Sequence, residues 1–190
     1  SQYRAIMEEK LRKMQMDFRD TVMESVINTG VLSVNNEKKQ INAIMTLQPN
    51  NFEELFSQAK SVLLEHYFNL RYPEHPFFST LISSQNLLEE LNRATKEVLK
   101  FESKEFTSNT KSILNGFHLI NSRGYIDIQD SSVAKSILET VKSKANEMIP
   151  LSTFTEEFLH PPYGYTQDMT YFIIMVLVYL GQVEGKMSNK

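Results

Sequence analysis

His160-Pro161-Pro162-Tyr163-Gly164-Tyr165-Thr166-Gln167-Asp168 leads into the apolar run Tyr171-Phe172-Ile173-Ile174-Met175-Val176-Leu177-Val178-Tyr179-Leu180, and Gly181-Gln182-Val183-Glu184 closes it. Two prolines fix the backbone of the entry turn. Thr166 can accept from the free amides of a helix start, and Asp168 suits the positive end of the helix dipole. A helix apolar on every side cannot lie at a surface, so this one must be buried in protein. Its ten residues fall far short of the ~20 a membrane span requires. The run therefore predicts the central helix of a mainly α fold.

Amphipathic segments surround it. Met7, Leu11, Met14, Phe18, Val22 and Val26 recur every three or four residues and predict an N-terminal helix with its apolar stripe packed in a core. Methionines at 7, 14, 16 and 23 lie on or near that stripe, and their bland reading is core filling; the other is a Met-rich partner surface. Thr29-Gly30 supplies a stop. After the short apolar piece Gly30–Val34, the turn-like Asn35-Asn36 and the break at Gln48-Pro49, Asn50 with Glu53 fits a helix N-cap. A second stripe runs through Phe56, Ala59, Leu63, Tyr67 and Leu70 until Pro73 and Pro76 forbid continuation. A third helix, from about Ser84 to Phe101, carries Leu87, Leu91, Ala94 and Val98 in register.

Residues 103–112 are polar and lead towards a helix through Ile113–Ile120. Tyr125-Ile-Asp-Ile-Gln129 alternates like a short strand. Asp130 can cap a helix bearing Val133, Ile137, Leu138, Val141 and Ala145, and Ser152 or Thr153 can cap a short one ending near Phe158. Helix, glycine turn and short strand occur at Ile113–Gln129 and again at Tyr171–Met187, the outline of a winged helix. The expected organisation is a helical region over 1–102 and a winged-helix-like helical region with short strands over 103–190.

Composition narrows the function classes. Hydrophobic residues at 41% and charged residues at 23% are those of a globular chain. A formal net charge of -3 supplies no global field for nucleic acid or anionic membrane. The absence of cysteine excludes disulfides, zinc–thiolate sites and cysteine nucleophiles, and fits a reducing cytoplasm. The charged N-terminal segment is no signal peptide, and entry into a helical pattern without an initiator Met predicts a piece excised from a longer polypeptide.

No set of residues announces catalysis. Gly181-Gln-Val-Glu-Gly185-Lys186-Met187 is one residue short of a phosphate loop, lacks its Ser/Thr and follows a helix rather than a strand. His66, His75, His118 and His160 show no metal-ligand spacing, and His75 and His160 abut prolines, where an imidazole commonly bonds to backbone. Glu89-Glu90 and Glu156-Glu157 are neighbours that diverge on a helix and read as solvated faces. No cofactor, metal or catalytic residue is expected.

Tyr72-Pro73-Glu74-His75-Pro76-Phe77 and Pro161-Pro162-Tyr163-Gly164-Tyr165-Thr166-Gln167-Asp168, with the ending Gly181-Gln182-Val183, resemble segments of the large P-loop ATPases of BREX-type phage-exclusion systems (BrxC/PglY-like). The likeness covers about forty residues in two patches. It implies a helical region outside the ATPase core, since no Walker A sequence is present. The expectation is a cytoplasmic, non-catalytic interaction or scaffold module of a bacterial phage-defence ATPase, meeting other domains of its parent or partner proteins. Tyr72, Pro73, Pro161, Pro162, Tyr163, Gly164 and Tyr165 are its candidate structural or interaction turn, whose bland role is to set helix entry and exit angles. The alternative is a winged-helix DNA- or RNA-binding module contacting nucleic acid through Lys111, Arg123, Lys135 and Lys186.

Overall fold

The computed structural model describes residues 2–34, 37–45, 48–79, 82–100, 105–144 and 147–186. The chain is mainly helical and forms two compact units, Ser1–Arg71 and Tyr72–Lys190. The expected boundary at 102/103 lies outside the described residues, as do Phe101, Ala145 and the Asn35-Asn36 turn.

In the first unit, α1 (Gln2–Thr29) is followed by β1 (Val31–Val34), β2 (Glu37–Gln40), α2 (Ile41–Ile44) and α3 (Phe52–Arg71). The strands pair antiparallel, with Val31 opposite Gln40 and Leu32 opposite Lys39. Alternation gave no hint of β2, because Glu37-Lys38-Lys39-Gln40 has no apolar face. Gly30 is required where α1 ends, since a Cβ there would run into the Val26 carbonyl and the Ile41 side chain.

Two expectations fail in this unit. The α1 stripe does not pack into a core: every side chain over residues 3–21 is exposed, and only Val22, Met23, Val26 and Ile27 are half-buried. In α3 the buried face is Leu55 and Ala59 with half-buried Val62, Leu63 and His66, whereas Phe56, Tyr67 and Leu70 are exposed. The stripe drawn through Phe56 is displaced by one residue from the face that packs. The α3 cap also shifts by one: Asn51 Oδ1 accepts from Glu54 N at 2.9 Å, and Glu54 Oε2 accepts from Asn50 N at 2.8 Å.

The second unit holds α4 (Leu87–Leu99), α5 (Ser108–Gly116), α6 (Ser132–Ser143), α7 (Leu151–Leu159) and α8 (Gln167–Tyr179). As its composition demands, α8 is central: Met169, Phe172, Ile173, Val176 and Leu177 are buried, and α4, α6 and α7 pack on it. Its start is capped by Thr166, whose Oγ1 accepts from Met169 N at 3.3 Å. Leu91, Ala94 and Val98 bring α4 to this core, Val133, Ala134 and Ile137 bring α6, and Phe154 and Phe158 bring α7. The cap of α6 is Ser131 rather than Asp130, and α7 begins after Pro150 rather than at Ser152 or Thr153.

The strand expected at Tyr125–Gln129 is reduced to one antiparallel bridge, Ile120 to Ile126, and no strand is described after α8. The echo between Ile113–Gln129 and Tyr171–Met187 has a different origin. Leu119 N bonds to Leu114 O at 2.8 Å, and Gln182 N bonds to Leu177 O at 2.9 Å. Both helices thus end in the same six-to-one capping turn, which needs a left-handed residue just beyond the helix. Gly181 takes that position at φ +66°, and His118 takes it at φ +54°.

Glu89-Glu90 is not a uniformly solvated pair. Glu90 is 7% exposed. It accepts from Arg93 Nη1 at 3.0 Å and from Asn109 Nδ2 at 2.9 Å, so a buried carboxylate ties α4 to α5. Thr107 makes a second tie: its Oγ1 donates to Glu97 Oε1 at 2.9 Å while accepting from Thr110 N at the start of α5.

Candidate functional site: the joined proline turns

Two proline turns, 88 residues apart in the chain, meet in the second unit. Glu74 N donates to Pro162 O at 3.0 Å, and His75 Nδ1 lies 3.0 Å from Tyr163 O. The imidazole expected to hydrogen-bond to backbone does so, using the other turn as its acceptor. Between the turns, Gly164 stands at φ +64°, in the left-handed region. A Cβ there would lie 2.7 Å from Cδ1 of Tyr72. Glycine at 164 therefore serves both as a left-handed turn residue and as the floor on which the Tyr72 ring rests. The Pro161–Pro162 peptide is cis.

Aromatic packing locks the junction. Tyr165 is 4% exposed and sits at the centre, with ring centroids 5.6 Å from Phe117, 5.9 Å from Tyr163, 6.1 Å from His75 and 6.4 Å from Phe158. Phe158 also meets Tyr163 edge-on at 5.1 Å. Such pairs contribute roughly 0.5–1.5 kcal/mol each beyond their buried area. Burial, reinforced by the negative charge of Glu74 and by Tyr163, pushes the Tyr165 phenol far above its ordinary range. The Tyr163 phenol is raised chiefly by burial, then by Glu74 and Glu157.

A cleft of about 180 Å³ opens beside the junction, between Glu74, His75, Asn115, His118 and the start of α6 at Ser131 and Ser132. Ser132 Oγ donates to Glu74 Oε2 at 3.3 Å across it. Among the described residues, no group of three His, Asp or Glu side chains is placed to hold a metal ion.

The seven turn residues singled out in the sequence thus belong to one locus. The four basic candidates stand on separate segments: Lys111 in α5, Arg123 in the turn after it, Lys135 in α6 and Lys186 beyond α8. Lys111 is engaged with Glu105 at 3.3 Å. Of the histidines, His66 pairs with Glu37 at 2.8 Å in the first unit. Sequence reasoning missed Phe117 and Glu74 as members of the junction, and His118 as its left-handed neighbour. Only the proximity of His75 to a proline hinted at the contact.

No helix among the described residues is long and apolar enough to cross a membrane. Neither the curated proteins nor the solved structures contain a significant match. A family model does match, over residues 88–190, described as the fourth domain of a family of unknown function, DUF6079. That span takes in α4 to α8 and the Pro161–Asp168 turn, and it covers more than half of the chain. The chain belongs to the DUF6079 family.

Proposed function

We propose that this chain is a non-catalytic interaction and scaffold module of a larger bacterial protein, a phage-defence ATPase. One observation carries the reading: the α1 stripe is apolar, periodic and exposed. Met7, Leu11, Met14 and Phe18 are 49%, 57%, 69% and 71% exposed. A contiguous apolar surface of this kind marks a place where another protein surface docks. Membership of a family whose fourth domain matches residues 88–190 supports a multidomain parent, and the two proline turns read in the sequence supply the BREX-type likeness. In this reading the second unit is the rigid scaffold. Its joined turns hold helix entry and exit angles, and the winged-helix outline read in the sequence serves packing rather than nucleic-acid contact.

The test is photo-crosslinking in the native host, with a photoreactive phenylalanine at Phe18 of the parent protein. The expected result is a mass-spectrometrically identified crosslink to a defined polypeptide segment, lost when Leu11 is changed to Glu. No crosslink from Phe18, Met14 or Leu11 would overturn the reading. The phage-defence assignment is tested separately by plaque counts: the Leu11→Glu parent should lose at least tenfold of its protection, and unchanged protection refutes it. Binding to mixed-sequence double-stranded DNA, followed by fluorescence anisotropy across a salt series, discriminates the nucleic-acid alternative. The module reading expects none; micromolar binding falling steeply with salt and abolished in Lys111→Ala/Arg123→Ala would replace it.

A further inference from the structure

The charges flanking the exposed α1 stripe specify its occupant. Residues 2–14 carry four basic and two acidic side chains, and residues 15–29 carry one basic and three acidic. The two halves of the helix therefore carry opposite net charge, positive in the first and negative in the second. A second α1 laid antiparallel brings each positive half against a negative half, whereas a parallel copy sets like against like.

The stripe supports a single register. With Met7, Leu11, Met14 and Phe18 as the seam, Leu11 of one copy faces Met14 of the other, and Met7 faces Phe18. Antiparallel pairing juxtaposes the flanking positions that precede the seam residues. In this register Lys10 of each copy comes beside Asp17 of the second copy, twice by symmetry. Parallel pairing sets Lys10 beside Gln15 and Asp17 beside Val22, with no ion pair at either place. From Met7 to Phe18 the seam extends about 16 Å at 1.5 Å per residue.

Most of a helix's stability in a protein comes from packing its apolar face, and every side chain over residues 3–21 of α1 is exposed. The intrahelical Arg4–Glu8 pair at 2.9 Å is solvent-exposed and adds little. Burying the stripe supplies the stabilisation that α1 lacks alone.

We propose that α1 is a self-association helix, pairing two copies of this chain antiparallel through Met7, Leu11, Met14 and Phe18. The proposal rests on the interaction-module reading and names its partner.

The experiment is sedimentation equilibrium of the 190-residue chain from 1 to 200 µM. The expected result is a reversible monomer–dimer equilibrium whose dissociation constant rises at least 100-fold in Leu11→Glu/Phe18→Glu. Lys10→Glu alone should raise it about tenfold, and Lys10→Glu/Asp17→Lys should restore it, because a charge swap is invisible only to a partner bearing the same swap. Orientation is read from cysteine variants of a chain with no cysteine of its own. Under mild oxidation, Met7→Cys and Phe18→Cys chains should crosslink to each other and neither to itself. A chain monomeric at 200 µM, a dimer indifferent to Leu11→Glu/Phe18→Glu, or Met7→Cys crosslinking to itself would overturn the proposal. If it falls while Phe18 crosslinks in cells to a different polypeptide, the interaction-module reading survives.

Discussion

Gly164→Ala probes the junction of the two proline turns more sharply than any other single change, because a control of matching conformation exists in the same unit. Gly164 and Gly181 have nearly equal left-handed φ values, +64° and +66°. A Cβ at 181 meets nothing within 4 Å, whereas at 164 it would lie 2.7 Å from the Tyr72 ring. Forcing alanine into the left-handed region costs about 1–2 kcal/mol at either site. At 164 the methyl group must also displace an aromatic ring, and overpacking of that kind adds roughly 1–3 kcal/mol. Gly181→Ala should therefore lose about 1–2 kcal/mol and Gly164→Ala about 2–5 kcal/mol, the difference being the clash. The ring itself supplies the confirming step: in a Tyr72→Ala background the Gly164→Ala penalty should shrink to that of Gly181→Ala, a coupling of about 1–3 kcal/mol. Urea unfolding followed by near-ultraviolet tyrosine circular dichroism reads all four variants, since the chain has no tryptophan. Equal losses at 164 and 181, or an undiminished penalty in the Tyr72→Ala background, would refute the reasoning.

His118 occupies at φ +54° the capping position that Gly181 fills at the end of α8, so His118→Gly should stabilise the chain by about 1 kcal/mol; a lower melting temperature would show that the imidazole holds the cleft together. Thr107→Ala removes both the α5 cap and the hydroxyl bond to Glu97 and should cost about 1–2 kcal/mol in chemical denaturation, with Thr107→Ser recovering most of it. The Tyr165 phenol is held above its unfolded value of about 10. Its contribution is therefore complete below that pH and is lost as pH rises, with a slope of about 1.4 kcal/mol per unit. Tyr165→Phe should flatten the fall in stability between pH 10 and 11, and an unchanged slope would remove Tyr165 as its source.

The second unit was legible where one local rule decided the outcome. The run at Tyr171–Leu180 could only be a buried helix, and Thr166 was a plausible cap for it, because amides freed at a helix start need an acceptor within three residues. Register in α4 was readable for a similar reason: Leu91, Ala94 and Val98 are small or aliphatic among charged neighbours, so a single face could be buried. Misreadings arose where several residues could satisfy one requirement. Ser131 competes with Asp130 for the α6 start and wins because its hydroxyl reaches Ala134 N at 3.4 Å. The second strand, β2, was invisible because backbone pairing carries it, and a Glu-Lys-Lys-Gln segment leaves no hydrophobic trace.

The deeper limit shows in α1 and in the joined turns, which fail to be legible for opposite reasons. At the turns, both segments were visible, but no local rule links Tyr72 to Gly164. Their contact exists because α8 must be buried, and burying it carries its entry turn to the exit of the preceding segment. In α1, periodicity marked an apolar face that is exposed, and the error was to assign its cover to this unit's own core. An apolar stripe expresses a demand for a partner without stating which surface meets it. The flanking charges carry that second piece of information, since they discriminate between orientations that the seam residues accept equally. For this helix the apolar positions mark the face, and Lys10 and Asp17 favour an antiparallel copy of the same helix over a parallel one, which is the pairing we propose.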